Sequence, residues 1–139
     1  MRGADSYLRA SMASLVSWHR MPDWQYTLAR EQVYDGPVAV LTGPQTYSAG
    51  EDFVLSFTIM QRGLTIGEAT GGSTGQAINF TLPGGGAARV CAKRDTYPDG
   101  REFVGAGVAP SVEVRQTVAG LRAGRDPVLE RALAELGKR

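Results

Sequence analysis

The stretch GPVAVLTGPQTYSAGEDFVLSF, residues 36–57, decides the fold of this chain. Its first part, PVAVL at 37–41, is a short apolar and β-branched run bounded by Gly36 and by the Gly43-Pro44 turn pair. Such a run is typical of a buried strand. We therefore expect a strand that ends just before the polar segment QTYSAGE.

A helix is predicted directly after this strand. Ser48 and Glu51 form an S-x-x-E capping box, in which the serine caps the first turn and the acid bonds back to it. Apolar residues then continue at helical spacing until Gly63, at Phe53, Val54, Phe57 and Met60. The pattern predicts a helix that begins at Ser48.

Ser48 permits two interpretations. It is either an ordinary helix cap or a nucleophile carried on that cap, because a strand that turns abruptly into a helix holds its junction side chain at the carboxyl edge of a sheet, beside unpaired backbone amides. The small residues Ala49 and Gly50 leave room for a substrate carbonyl. The amide of Ala49 is then a natural donor to the oxygen that becomes negative on attack.

Composition excludes several classes of function. With 139 residues and 42% hydrophobic side chains, the chain suits one domain with a single core. Its 15 basic and 14 acidic residues leave a net charge of +1 and no basic run, so no nucleic-acid partner is expected. The apolar runs are far shorter than the ~18 residues that span a bilayer, and the N-terminus lacks the apolar core of a signal peptide, so no membrane insertion is expected.

The single cysteine, Cys91, excludes an internal disulfide and a cysteine-rich metal site. It stands in the strand-like run ARVCAK, which predicts a buried structural thiol. No residues are evident that would hold a metal or an organic cofactor, and none is expected.

A serine hydrolase needs a base beside its nucleophile, and this chain offers few. The candidates are His19, in the polar segment SWHRMPDW, and the two lysines, Lys93 and Lys138. His19 is predicted at a frayed helix end or in a loop, and Lys138 lies at the tail. Alternation on an exposed strand face accounts for Lys93. None of the three is therefore predicted to be the base.

The remaining pattern predicts an α/β fold. Residues 4–17 carry apolar side chains on one helical face, which predicts an amphipathic helix, and residues 20–35 lack clean periodicity, which predicts a loop. A short strand is expected at Leu64–Gly67, so the order strand, helix, strand favours parallel strands.

Turn residues divide the second half of the chain. Residues 77–94, AINFTLPGGGAARVCAKR, predict a β-hairpin with GGG as its loop, and a further turn is expected at 98–100. An edge strand is expected at 112–114. Asp126 is predicted to cap a C-terminal helix with Pro127 at its first position. The expected buried face of this helix consists of Val128, Leu129, Ala132, Leu133 and Leu136.

The glycine-rich segment GEATGGSTGQ, residues 67–76, also has two interpretations. It lacks the spacing of a nucleotide-binding loop. Its polar residues Ser73, Thr74 and Gln76 either fill a glycine-rich turn or lie beside Ser48 as hydrogen-bond donors that orient a substrate. The glycines would let an extended peptide approach closely and add as a strand.

Six landmarks, taken in order over residues 36–136, resemble the catalytic core of one family. They are PVAVL, TYSAGEDF, IGEATGGSTG, FTLPGG, YPDGREFVGAGVAPSVEV and GRDPVLERAL. Together they resemble the C-terminal-processing, or tail-specific, serine peptidases, including relatives of the tricorn protease core.

The resemblance implies a ClpP/crotonase-like α/β fold with a mainly parallel sheet, flanking helices and a β-hairpin. It implies that Ser48, in the serine position of the family's T-x-S-A-x-E segment, is the nucleophile of a serine-type endopeptidase. Ala49 would donate one oxyanion-hole amide. The substrates would be peptides or proteins, and no cofactor would be needed.

The chain departs from the family's pattern at the base. One branch uses a lysine in the glycine-rich segment, with a glutamine shortly beyond it; here Ser73 stands near the lysine's place and only Gln76 echoes the glutamine. The tricorn-like branch takes a histidine from upstream and supports it with an acid after P-D-G, where this chain has Val104, with Glu102 two positions out of phase. Without the lysine, the chain resembles the tricorn-like branch more closely.

Two further segments of the family have no counterpart in the chain: an upstream strand with the turn that donates a second oxyanion amide, and the peptide-docking PDZ domains. We therefore expect residues 1–139 to be a single, partial peptidase-core domain, the C-terminal portion of a longer peptidase, incomplete or weakly active alone. Relatives are often exported, and the resemblance alone suggests a periplasmic or secreted location.

Two other functions stay open. A non-catalytic relative that binds peptides or apolar ligands would explain the missing lysine and Val104. An assembly module is the third interpretation, because ClpP/crotonase-like folds often form homo-oligomers and the segment from Trp18 to Tyr26 could pack on a neighbouring copy.

Overall fold

The computed structural model describes residues 9–13, 17–20 and 31–138. Within these residues its elements are, in chain order, β1 (Arg9–Ala13), β2 (Trp18–Arg20), β3 (Ala39–Thr42), α1 (Ala49–Ile59), β4 (Leu64–Gly67), β5 (Ala77–Thr81), β6 (Ala87–Cys91), β7 (Lys93–Thr96), β8 (Val112–Glu113), α2 (Val118–Arg122) and α3 (Pro127–Leu136). In this described part, no helix has the length and apolar character needed to cross a membrane.

A parallel sheet in the order β3-β4-β8 carries the centre of the fold. Val40 pairs with Thr65 and Ile66 with Val112, so all three strands run the same way and end at one edge. The helix α1 makes the crossover from β3 to β4, as a parallel pair requires. The predicted α/β fold with a parallel sheet is confirmed, and β4 has the predicted bounds.

The core lies between α1 and the segment that precedes β8. Val54 and Leu55 of α1 are packed with Phe103 and Val108, and all four are at most 2% exposed. Tyr97 packs edge-on against Phe103, with ring centroids 6.2 Å apart. This burial of apolar area fixes the position of α1 relative to residues 103–108.

The predicted hairpin is confirmed as β5 and β6, joined by the turn that contains GGG. A second antiparallel sheet, in the order β2-β1-β7, was not predicted. The amphipathic helix predicted over 4–17 is therefore wrong at Arg9–Ala13, which form β1 because β7 pairs with them. His19, expected at a frayed helix end or in a loop, lies in β2. Residues 4–8, 14–16 and 21–30 of these two predictions lie outside the described residues.

The buried thiol predicted at Cys91 is wrong, because the cysteine is exposed at the end of a two-stranded ribbon.

The C-terminal helix α3 is confirmed together with its cap. The Asp126 carboxylate accepts hydrogen bonds from the amides of Val128 and Leu129 at 3.1 and 3.0 Å. Its buried face is narrower than predicted, because Leu129 and Leu133 are 45% and 62% exposed. Burial follows a single stripe at four-residue spacing, formed by Val128, Ala132 and Leu136.

Candidate active site

Ser48 lies at the junction between the loop after β3 and the first turn of α1. Its backbone has φ 55° and ψ −125°, a conformation that residues other than glycine rarely adopt. Strain of this kind costs about 1–3 kcal/mol and is concentrated at functional sites. Ser48 occupies the N-cap position of α1, but its hydroxyl makes no capping hydrogen bond to this helix, all of whose residues are described, so the predicted side-chain cap is absent.

The strained conformation is held by the glycine-rich segment. The amide of Ser48 donates to the carbonyl of Ser73 at 3.2 Å, and the hydroxyl of Thr74 lies 3.3 Å from the carbonyl oxygen of Ser48. Both contacts join residues about 25 positions apart in sequence. The backbone of Ser48 is therefore held at both its amide and its carbonyl, while its side chain is exposed.

Glu51, the other member of the expected capping box, points away from Ser48 into the glycine-rich segment. Its side chain is fully buried. One carboxylate oxygen accepts from the Thr70 hydroxyl at 2.5 Å and the Gly72 amide at 2.6 Å. The other accepts from the Ser73 amide at 2.8 Å and the Thr74 hydroxyl at 2.6 Å. The capping box is thus replaced by a carboxylate that ties α1 to this segment.

The charge of Glu51 is stabilised by these contacts. Burial acting alone would raise the pKa of the carboxyl, but the hydrogen bonds from Thr70, Thr74, Gly72 and Ser73 together hold that pKa below its ordinary value. Glu51 is therefore ionised at neutral pH, and its position is set by the donors rather than by solvent. The run T-G-G-S-T, rich in small donors, was the signal in the sequence for this arrangement.

The glycine-rich segment also packs closely against the backbone around Gly107. Gly107 has φ +81°, and a Cβ at this position would lie 2.1 Å from the carbonyl oxygen of Thr70. Gly72 has φ +64°, and a Cβ there would lie 2.8 Å from the amide nitrogen of Gly107. The glycine-rich segment can therefore take this conformation only with glycine at both positions.

A cavity of about 200 Å³ opens beside Ser48. Its lining consists of Ser48, Ala49, Asp52, Thr74, Gly75, Gln76 and Lys93. Four residues predicted for the site, Ser48, Ala49, Thr74 and Gln76, are thus brought together, whereas Ser73 meets Ser48 through its backbone. Asp52 and Lys93 were missed as members of the site.

Lys93 is not on an exposed strand face, so that interpretation is wrong. Its side chain is 19% exposed, and its ammonium nitrogen lies 3.0 Å from Asp95 Oδ2 and 3.8 Å from Asp52 Oδ2. Asp95 is fully buried, and burial raises the pKa of its carboxyl although the Lys93 ammonium opposes this. The alternation of Lys93 and Asp95 along β7 was the signal in the sequence for a shared inward face.

The position of the expected acid and its neighbours have other surroundings. Val104 is 43% exposed and lines a neighbouring cavity of about 270 Å³ together with Lys93 and Glu102. The Glu102 carboxylate is paired with Arg94. Ser111 bonds through its amide and its hydroxyl to Thr65 at 2.9 Å each, and so joins the start of β8 to β4.

The residues that the structure describes contain no group of three or more histidine, cysteine or acidic side chains placed to hold a metal ion. What the cavity offers instead is a hydroxyl on a strained backbone and the amide of Ala49, the first residue of α1, which has no intrahelical acceptor.

Comparison with known proteins gives one family and several similar structures. The model of peptidase family S41 matches residues 5–114. No curated protein matches the chain. The structure is similar to a Parabacteroides merdae protein, with a TM-score of 0.75 and 23% identity over 97% of this chain and 46% of that one.

Two further structures share the fold over smaller parts of their length. Mature CPAF in complex with lactacystin has a TM-score of 0.73 and 20% identity over 87% of this chain and 24% of that one. The tricorn protease has a TM-score of 0.54 and 24% identity over 74% of this chain and 10% of that one. The chain therefore spans less than half the length of each of these proteins, and the ClpP/crotonase-like core is the part they have in common.

Proposed function

The chain belongs to peptidase family S41, and from this premise we propose that it is the core of a serine-type endopeptidase of the tail-specific, C-terminal-processing kind. The observation that supports this most strongly is the exposed hydroxyl of Ser48, held on a strained backbone at the start of α1 and beside an open cavity. Structural strain at an exposed serine on a strand-to-helix turn is the arrangement of an activated nucleophile.

In the proposed reaction, Ser48 Oγ attacks the carbonyl carbon of a peptide bond. The oxygen that becomes negative accepts from the amide of Ala49, which the helix dipole of α1 makes a better donor. The fixed backbone of Ser48 supplies orientation, because the hydroxyl and the amide are consecutive residues of one rigid turn.

The glycine-rich segment is proposed to orient the substrate. Gln76 is exposed and lines the cavity, and Ser73 is exposed beside it, so both offer polar groups to an extended peptide. Thr74 is part of the cavity lining, and its hydroxyl bonds to the Glu51 carboxylate. Peptide and protein substrates, assembly into homo-oligomers, and membership of a longer peptidase stay proposals for the whole protein.

The experiment is labelling with a fluorophosphonate serine-hydrolase probe, followed by mass spectrometry of the modified peptide. We expect the adduct on Ser48 in the wild-type chain and its loss in Ser48→Ala. Ser56→Ala, a change to another serine of α1 that does not line the cavity, is the matched control and should leave labelling unchanged. An adduct that persists in Ser48→Ala would contradict the proposal.

A second candidate is a non-catalytic relative that binds peptides or apolar ligands. Its support is the apolar side chains exposed around the site and on the hairpin, among them Tyr47, Phe53, Phe80 and Val90. A protein that binds such a ligand equally well with Ser48→Ala, and that never forms the adduct, would favour this function.

A further inference from the structure

We propose that Asp52 makes the Ser48 cavity selective for peptides that carry a lysine or arginine side chain beside the bond to be cut. The inference rests on the proposed function and adds a substrate class to it. The proposed reaction itself does not use Asp52, although this residue of the first turn of α1 lines the cavity.

Asp52 lies close enough to Ser48 to contact the same bound residue. Its amide donates a hydrogen bond to the carbonyl of Ser48 at 3.1 Å, so one helical turn joins the two residues. Both line the same cavity of about 200 Å³. A substrate side chain that enters this cavity while its backbone lies at Ser48 therefore meets the Asp52 carboxylate.

The carboxylate of Asp52 is poorly satisfied by the protein. Its Oδ1 is buried and has no hydrogen-bond partner among the described residues. Its Oδ2 lies 3.8 Å from the Lys93 ammonium, which is beyond the range of a hydrogen bond. The side chain as a whole is 35% exposed, so it can still be reached from the cavity. A cationic group brought to its open side would supply the charge-assisted hydrogen bond that it lacks.

Lys93 does not neutralise Asp52, because its ammonium lies closer to Asp95. The distance from Lys93 Nζ to Asp95 Oδ2 is 3.0 Å. Asp95 is fully buried, and neither of its oxygens has a well-aligned hydrogen-bond donor in the described part of the chain. A buried charge that loses its partner is strongly destabilising, so Asp95 holds the ammonium more firmly than the partly exposed Asp52 does.

The charge around the cavity is negative as a whole. Among the residues that the structure describes, the charged side chains of the lining are Asp52 and Lys93. The carboxylates of Glu51 and Asp95 lie directly behind Thr74 and Lys93. Protonation of Asp95, whose pKa is raised by burial, would still leave two carboxylates against one ammonium. Such a cavity favours a cationic side chain over a neutral or acidic one at the same place.

The test is equilibrium binding of three fluorescent peptides to the Ser48→Ala chain, measured by fluorescence anisotropy. The peptides have capped ends and alanine at every position except the central one, which is lysine, norleucine or glutamate. We expect the lysine peptide to bind about 10-fold more tightly than the norleucine peptide, the range of one hydrogen bond between charged groups, and the glutamate peptide to bind most weakly. Asp52→Asn, made in the same Ser48→Ala background, should abolish the preference for lysine.

Glu102→Gln is the matched control. It removes the same charge from a carboxylate that is paired with Arg94 and does not line the Ser48 cavity. The preference for the lysine peptide should therefore be unchanged in this variant. A loss of the preference in Glu102→Gln as large as that in Asp52→Asn would show that net charge, rather than Asp52, sets it.

Three further outcomes would overturn the inference. These are equal binding of the lysine and norleucine peptides, tightest binding of the glutamate peptide, which would assign the preference to Lys93, and the absence of binding by all three peptides. The comparison of the peptides needs no second variant, so it decides the question even if Asp52→Asn does not fold. Because the Ser48→Ala chain has no nucleophile, the result is independent of adduct formation, which tests the proposed function separately.

Discussion

Two buried carboxylates contact residues that line the Ser48 cavity, Glu51 through Thr74 and Asp95 through Lys93, and the protein surrounds them in different ways. Glu51 and Asp95 are both fully buried. Glu51 accepts four hydrogen bonds from the glycine-rich segment. Asp95 has the ammonium of Lys93 at 3.0 Å, and neither of its oxygens has a well-aligned donor within the described ranges.

The difference shifts the pKa values of the two carboxyls in opposite directions. The pKa of Glu51 is held below its ordinary value by its donors, whereas the pKa of Asp95 is raised by burial. Hydrogen bonds to a carboxylate stabilise its charged form, whereas burial without them destabilises that form. Glu51 therefore fixes the glycine-rich segment that holds Ser48, whereas Asp95 fixes the position of Lys93 in the cavity lining.

The largest expected effect is on stability when Glu51 is removed. Glu51→Ala leaves the four donors of the glycine-rich segment without an acceptor, and we expect it to lower the free energy of unfolding by about 3 kcal/mol or more. Glu51→Gln keeps one acceptor oxygen but turns an NH₂ group toward donors, and should cost about 2 kcal/mol. Urea unfolding followed by circular dichroism measures both. A Glu51→Gln variant as stable as the wild type would remove the contrast between the two carboxylates.

Asp95→Asn should have a smaller effect, about 1 kcal/mol, because the lost ion pair is offset by relief of a desolvated charge. The pH dependence of the free energy of unfolding gives a second test of the buried Asp95 carboxyl. Since the folded pKa of Asp95 lies above its ordinary value of 3.8, the folded state binds more protons in that window. The stability contributed by this group is present below pH 3.8 and is lost as the pH rises through the folded pKa. Urea unfolding over a pH series should show this loss in the wild type and not in Asp95→Asn.

Glu51 provides the opposite sign in the same pH series. Its folded pKa lies below the ordinary value of 4.5, so its contribution to stability is present above pH 4.5 and is lost as the pH falls through the folded pKa. Glu51→Gln should remove this acidic loss while Asp95→Asn keeps it. The same slope of unfolding free energy against pH in both variants would contradict the opposite pKa shifts assigned to the two carboxyls.

The smallest effect is expected at the exposed pair beside Asp95. Arg94 and Glu102 form an ion pair in which both side chains are more than half exposed. Arg94→Ala should change the free energy of unfolding by at most about 0.5 kcal/mol, because such pairs are screened by water. It is the matched control for Asp95→Asn on the neighbouring position of β7. A loss as large as that of Asp95→Asn would mean that the strand, rather than the buried carboxyl, sets the stability.

Local patterns were sufficient for the elements whose partners are close in sequence. The apolar runs, the turn glycines and Asp126 predicted β3, α1, β4, the hairpin and α3. The N-terminal helix was wrong at Arg9–Ala13, because the pairing partner of β1 is β7, more than 80 positions away. No periodicity within a short window reports a pairing over that distance.

The site was predictable in part for the same reason. Ser48 and Ala49 could be proposed from one turn of sequence, and the cavity also contains Thr74 and Gln76 as expected. The capping box misled because the pattern S-x-x-E does not reveal that donors some 20 positions away compete for Glu51. Lys93 reaches the site only through the fold of β7 against α1, and alternation along one strand could not show this.

The backbone angle of Ser48 has a consequence for how such sequences drift over generations. Glycine tolerates φ 55° without strain, so Ser48→Gly would relax the turn while deleting the hydroxyl. Selection for a sturdier fold and selection for chemistry thus pull this position in opposite directions. A lineage released from its activity would be expected to lose the serine early, and a serine that persists there is evidence of use.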